Sequence, residues 1–297
     1  MTGESAAGGE DREQSGEQGG ANSWLRRGRE AAAALAETWE SLVDVCHRLD
    51  AQQWGLPTEC PGWTVKDQLS HLIGLERSLL GEAPPEWDAP LGDHVRNAFA
   101  EENEPWIAAR RAQPGPVVLA EFVAVSELRL ATLRRLTEDE WAHVGPTIVG
   151  EVAYADFMKT RIFDSWVHEQ DVRMALGRPG GTGGLASAIG VGQVEAAMGF
   201  VVGKKAAAPD GAVVHFSVAG PGGDARSFTL EVQGGRARPG AAGVVVPTVT
   251  LALSSIDFVR LGCGRVSAGE LEAAGGVVVD GDAALGRKIL ESMNFMF

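Results

Sequence analysis

The sequence predicts a two-part fold, an all-helical bundle followed by a small α+β domain, on three observations. Apolar residues recur at three- and four-residue spacing from Ser23 to Leu176, and alternating segments appear only after the glycine-rich stretch 177–184. At 297 residues the chain also exceeds what one hydrophobic core comfortably fills. The expected division is a tail over 1–22, a four-helix bundle over 23–178 and an α+β domain over 185–297.

The first 22 residues are rich in Gly, Glu and Gln and lack the basic-then-apolar order of a secretory signal, so they read as a disordered tail. From Ser23 to Leu49, Leu25, Ala32, Leu35, Trp39, Leu42, Val43 and Cys46 mark one amphipathic helix. Gly55, Pro57, Pro61 and Gly62 then interrupt the chain. Thr64, three residues before Asp67, is a capping-box-like start for a second helix over 65–81, which Pro84-Pro85 ends. Helices are expected over 97–112, over 117–136 after Pro114-Gly115-Pro116, and over 151–176, where Gly177 and Pro179 supply the stop. Beyond lie a helix over 185–205, strands over 212–218, 227–232 and 248–253, a short helix over 254–261, a strand over 276–279 and a helix over 282–293.

With 40 acidic against 26 basic residues the formal charge is -14, which excludes a phosphate-backbone binder whose affinity comes from clustered Lys and Arg. The tail carries -4 of this and leaves about -10 on the folded part, where it serves solubility. No apolar run comes near the roughly 18 residues that span a bilayer, so no membrane is expected as a partner. Cys46, Cys60 and Cys263 are odd in number and form no CxxC pair, which fits a reducing cytoplasm without a structural zinc ribbon. A monomer or small homo-oligomer is expected.

The segment that carries chemistry is Arg161-Ile-Phe-Asp164-Ser-Trp-Val-His168-Glu-Gln-Asp171. On a helix its Arg161, Asp164, His168 and Asp171 fall within roughly 80° of one another. They form a polar stripe in an otherwise apolar row with Tyr154, Phe157, Val172 and Ala175. A buried carboxylate or imidazole costs several kcal/mol, as an order-of-magnitude figure of about 1–5, unless it is paired or holds a metal. Asp164 and His168, four apart, can converge on one ion, or they can form a surface ion pair. On the second helix His71 stands beside Gly74 and Ser78, whose small side chains leave space around it. It is a third ligand or a half-exposed helix histidine.

Two motifs, Cys60-Pro-Gly-Trp63-Thr-Val-Lys-Asp67-Gln-Leu-Ser-His71-Leu and Asp164-Ser-Trp-Val-His168-Glu-Gln-Asp171-Val-Arg173, resemble the mycothiol-dependent maleylpyruvate isomerase family. The resemblance continues through Ile256-Asp-Phe-Val-Arg-Leu-Gly-Cys-Gly264-Arg265 and Val279-Asp-Gly281-Asp282, which look like that family's sterol-carrier-like second domain. It implies a DinB-like four-helix bundle binding one divalent metal, zinc, through His71, Asp164 and His168, with mycothiol as thiol cosubstrate. The characterised isomerase has Glu at the place of Asp164, so one ligand here is shorter with its charge kept.

The resemblance implies a metal-held thiolate that adds to a small electrophile, in a cis-trans isomerisation or an S-transfer. No chain cysteine is needed as nucleophile. Arg161 and Asp171 could orient the metal pair from behind or bind substrate carboxylate, and Arg265 and Arg260 could meet anionic substrate groups or be solvated. Trp63 and Trp166 read as packing anchors. A non-catalytic small-ligand carrier and a metal-dependent hydrolase remain as alternatives.

Overall fold

A computed structural model describes residues 23–88, 92, 95, 97–220, 225–240 and 246–296. The tail expected over 1–22 lies outside the described residues. Helix α1 (Trp24–Cys46) begins at Ser23, whose hydroxyl accepts from the Arg26 amide, and a single turn, α2 (Ala51–Trp54), follows. Helix α3 (Val65–Leu79) opens on a complete capping box, with Thr64 Oγ1 accepting from the Asp67 amide and the Asp67 carboxylate accepting from the Thr64 amide at 2.9 Å. The pair read from sequence thus fixes where this helix starts.

Helices α4 (Ala98–Arg111) and α5 (Gly115–Leu133) come next, then a short α6 (Glu138–Ala142). The long α7 (Tyr154–Leu176) stops at Gly177, which takes the left-handed φ of 61° that ends helices without a Cβ penalty. The sequence reading started this helix at Glu151. Instead β1 (Val144–Thr147) and β2 (Gly150–Ala153) form an antiparallel hairpin, and Gly150, with φ 100°, helps turn the chain.

Helices α1, α3, α5 and α7 make the bundle, with α4 laid on the outer side of α3. Its centre is Leu35, Trp39, Leu42, Leu69, Leu72, Phe122, Ile162 and Trp166, all buried. The space expected beside His71 at Gly74 is filled. A Cβ there would lie 2.4 Å from Trp106 Cβ, so Gly74 serves the close approach of α4 to α3.

The second half begins with α8 (Gly184–Phe200), prolonged by a wider π turn at Val201–Lys205. Strands β3 (Val213–Ala219), β4 (Arg226–Gln233), β5 (Arg236–Pro239), β6 (Val249–Ser254) and β7 (Val277–Gly281) form one sheet in the order β5-β4-β3-β6-β7. Only β3 and β6 are parallel. Alternation sends Val214, Phe216 and Val218 of β3 into the core, where the Phe216 and Phe228 rings stack at 4.8 Å. Helices α9 (Ser255–Gly262), α10 (Ala268–Ala273) and α11 (Ala283–Glu291) complete this half. The sequence reading missed β5 and α10, each too short to show a period.

Contrary to the sequence reading, Gly184–Lys205 is long and apolar enough to cross a membrane by length and composition. Interspersed Gly, Ser and Gln hide this from a search for unbroken apolar runs. In the fold it is a packing helix. It buries Val191, Val194 and Met198, and Gly190 sits so close to Trp166 of α7 that a Cβ would come within 2.5 Å of the ring.

Candidate metal centre

Helix α7 is buried on nearly every side between Ala155 and Val172, so each charged residue on it needs a partner. His71 on α3 faces it. His71 Nε2 lies 3.4 Å from Asp164 Oδ1, and His168 Nε2 lies 3.5 Å from the same oxygen. The donor atoms of all three residues fall within 4.8 Å of one another. The structure therefore brings His71, Asp164 and His168 together, and no other group of three such side chains stands out among the described residues.

These separations bear on whether the cluster fits a metal. A good N–H···O bond is about 2.9–3.0 Å long, so 3.4 and 3.5 Å are poor hydrogen bonds. Two donors on one tetrahedral ion with bonds of about 2.0–2.1 Å stand roughly 3.3–3.4 Å apart. The two edges match that figure. Among the described residues His71 Nδ1 is buried without a hydrogen-bond partner, so this ring lacks the outer partner that a ligating histidine usually has. Two imidazoles and one carboxylate are also the donor set that zinc and similar divalent ions take, with positions left open.

Behind His168 and Asp164 stand charged partners. His168 Nδ1 meets Asp171 Oδ2 at 3.1 Å, and Arg265 from the second half donates through Nε and Nη2 to Asp171 at 2.9 and 3.0 Å. Such a carboxylate fixes the ring tautomer, leaving Nε2 as the free donor. Arg161 Nη1 donates to Asp164 Oδ2 at 2.9 Å, while its Nε and Nη2 donate to Glu76 Oε1 at 3.0 and 2.7 Å. Glu76 Oε2 accepts from Arg129 Nε at 2.9 Å, and Arg129 in turn contacts the Tyr154 hydroxyl. Burial disfavours the charged form of Asp164, yet Arg161 and the two imidazoles hold its carboxyl well below the usual range. Burial, helped by the charges of His168 and Arg161, lowers His71 in spite of Asp164. His168 is raised, because Asp164 and Asp171 outweigh its burial.

Trp63 roofs the cluster, its ring 4.9 Å from that of His71 and 5.6 Å from that of His168. Its placement follows from Cys60-Pro61-Gly62-Trp63, a turn closed by the Trp63 amide on Cys60 O at 3.1 Å, with proline second and Gly62 third at φ 78°. Solvent reaches the centre beside Asp164, whose side chain is 19% exposed against 2% for His71 and 7% for His168. Trp166 ties α7 to the loop that leads into α8, donating to Gly181 O at 2.6 Å.

Arg265, a candidate for substrate anions, is engaged with Asp171, and Arg260 with Glu59 and Asp257. Neither is a free solvated arginine. Glu169, the acid next to His168 in sequence, turns away from the cluster to Ser41 and Arg173. Burial pushes the thiols of Cys46, Cys60 and Cys263 up to about 12, which leaves none of them a thiolate near neutral pH.

The sequence reading missed Glu76 and Arg129, although a signal existed. Glu76 follows Leu69, Leu72 and Ile73 at the spacing of one buried face, and Arg129 follows Phe122, Val125 and Ser126 in the same way.

A helical bundle with a buried His/Asp/His cluster, joined by ion pairs to a small α+β domain, defines a two-domain class with a candidate metal centre. Residues 35–173 match the model of the mycothiol maleylpyruvate isomerase N-terminal domain, and residues 202–293 match that of the SCP-2 sterol transfer family. An uncharacterized protein of Mycobacterium tuberculosis (strain CDC 1551 / Oshkosh) is 28% identical over 161 residues, 49% of this chain and 56% of the relative. The chain thus spans little more than half the length of that curated relative. The crystal structure of the mycothiol-dependent maleylpyruvate isomerase superposes with a TM-score of 0.52 at 18% identity, covering 85% of this chain and 92% of that one. A histidine-to-alanine mutant of that isomerase superposes equally, with a TM-score of 0.52 at 17% identity. At these identities the likeness is one of fold.

Proposed function

We propose that this chain is a metal-dependent enzyme that uses mycothiol to isomerise, or to transfer sulfur onto, a small electrophilic substrate. The observation that carries this reading is the pair of 3.4 and 3.5 Å edges from Asp164 Oδ1 to the two imidazoles, which suit a divalent ion such as zinc. The match of residues 35–173 to the mycothiol maleylpyruvate isomerase N-terminal domain supports mycothiol as the thiol. A bound divalent ion lowers a thiol's pKa and so provides a nucleophile at neutral pH.

The chain's own residues prepare that chemistry. Asp171, held by Arg265, keeps the His168 Nε2 lone pair turned to the centre. Arg161 directs Asp164 Oδ1 there, and Trp63 excludes water from one side. The three cysteines, held protonated, take no part.

In the isomerisation the thiolate sulfur bonds to one carbon of an activated C=C, whose π electrons move onto the activating group. The bond, now single, rotates, and their return expels the thiolate to restore C=C in the other geometry. The thiol is recovered unchanged. In the S-transfer a leaving group departs in its place, or a proton completes the adduct.

The test is metal content by mass spectrometry together with turnover of an activated cis-alkene, with and without mycothiol. We expect about one equivalent of divalent metal and turnover only with thiol. Less than a tenth of an equivalent, with no uptake of added zinc, iron or manganese, would sink the reading, and equal turnover without thiol would replace it with hydrolysis.

A further inference from the structure

Glu76 and Arg161 are more than a buried ion pair. The Asp164 carboxylate is divided between two tasks, with Oδ1 facing both imidazoles and Oδ2 accepting from Arg161 Nη1 at 2.9 Å. A carboxylate that is free to turn can offer a metal one oxygen or two. Here the second is occupied. The guanidinium that occupies it cannot swing away, because its Nε and Nη2 are both spent on Glu76 Oε1. Glu76 is held in turn by Arg129, at 1% and 2% exposure respectively. The chain Asp164–Arg161–Glu76–Arg129 crosses α7, α3 and α5 and sums to zero charge, so it can persist without water.

We infer that Glu76 and Arg161 are positioning residues that restrict Asp164 to a one-oxygen ligand, keeping a coordination position open for the thiol. The fork geometry of arginine matters to this role, since Nη1 serves one carboxylate while Nε and Nη2 serve the other. A lysine offers one point of charge and cannot span both. The inference rests on the metal reading above and concerns residues that touch neither the ion nor the thiol. Glu76 lies five residues beyond His71, on the face of α3 that packs into the bundle.

The test uses the full chain loaded with cobalt(II) in place of the native metal, whose visible absorption weakens as coordination number rises. Wild type is compared with Arg161→Lys, Arg161→Met and Glu76→Gln. Folding is checked by circular dichroism, and mycothiol binding is read from the thiolate-to-cobalt charge-transfer band. We expect each folded variant to keep cobalt, to show a weaker visible band as Asp164 supplies its second oxygen, and to bind the thiol about tenfold less tightly. Arg161→Lys retains the buried charge and is the arm that should fold if the others do not.

A purely structural role would lower melting temperature but leave both spectra unchanged. Unchanged spectra and thiol affinity in a folded Arg161→Lys protein would therefore overturn the inference. A wild-type protein that takes up no cobalt would instead remove the metal reading itself, and the positioning role with it. The two failures are told apart by the wild-type sample alone.

Discussion

His168 is held at both nitrogens, with Asp164 Oδ1 on one side and Asp171 on the other, whereas His71 has no partner at Nδ1. Removing His168 leaves one imidazole and one carboxylate. His168→Ala should lower metal affinity by more than the about 10- to 100-fold that loss of an outer partner costs. The helical fold should remain, since the core is Leu, Phe and Trp. Full metal retention, measured by mass spectrometry with circular dichroism unchanged, would remove His168 from the ligand set. Asp164→Ala should behave likewise, and Asp164→Glu should keep metal within a few fold because charge is preserved and only reach differs. Protonation gives a second prediction at this scale. In the metal-free protein the His168 pKa is raised and that of His71 is lowered, so as pH falls His168 is the first to take up a proton that a metal must displace, and His71 follows only at lower pH. Metal affinity should therefore fall about tenfold per pH unit below the raised His168 value, and more steeply once His71 also protonates. Calorimetry in buffers of differing ionisation enthalpy should count a proton release on metal binding that rises towards about one as pH falls through the His168 value, and beyond one only at lower pH. A release that climbs to two protons in one step, or that never rises as pH falls, would contradict this assignment.

Among the elements, those with caps and long periods were legible and those without were not. Thr64 and Asp67 announce α3, Gly177 announces the end of α7, and both behave as their chemistry requires. Of the β1–β2 hairpin, β1 lies where no element is expected and the end of β2 where a helix is, because two four-residue strands carry too few residues for a period, and its turn holds Ile148 and Val149, residues that no turn rule singles out. The site was half legible. Its stripe on α7 could be seen because four polar residues share a face, but nothing local tells that Glu76 of α3 comes to lie against Arg161, 85 residues away. Packing at one glycine makes the element-scale prediction. Gly190 of α8 meets the Trp166 ring, with no room for a methyl, so Gly190→Ala should destabilise by about 1–3 kcal/mol. Gly269 of α10 has open space and an ordinary φ, so Gly269→Ala should be neutral or stabilise by up to about 1 kcal/mol. Denaturant unfolding measures both, and an equal effect at the two sites would mean that the α7–α8 contact is looser than described.

At the scale of the whole molecule the two halves meet through ion pairs of different consequence. Glu59 of the loop before α3 takes Arg260 of α9, and Asp171 of α7 takes Arg265 just beyond that helix. Both pairs tie the second half to the bundle, yet only Asp171 continues to a candidate ligand. Loss of Arg265 would leave Asp171, 2% exposed, with His168 as its one remaining charged partner. The imidazole would then be held more firmly as imidazolium, and the proton that metal must displace would bind more tightly. Arg265→Gln should therefore weaken metal binding by about 10- to 100-fold. Arg260→Gln, which breaks the neighbouring pair on the same seam, should change metal affinity by less than about twofold, since exposed and half-exposed ion pairs contribute little and this one touches no ligand. Chelator competition measures affinity, and denaturant unfolding shows how much stability each variant loses. If the second half served only as a bolted-on carrier domain, the two variants would shift stability in similar measure and leave metal affinity alone. If it completes the metal centre, affinity falls for Arg265→Gln and holds for Arg260→Gln, whatever their stabilities.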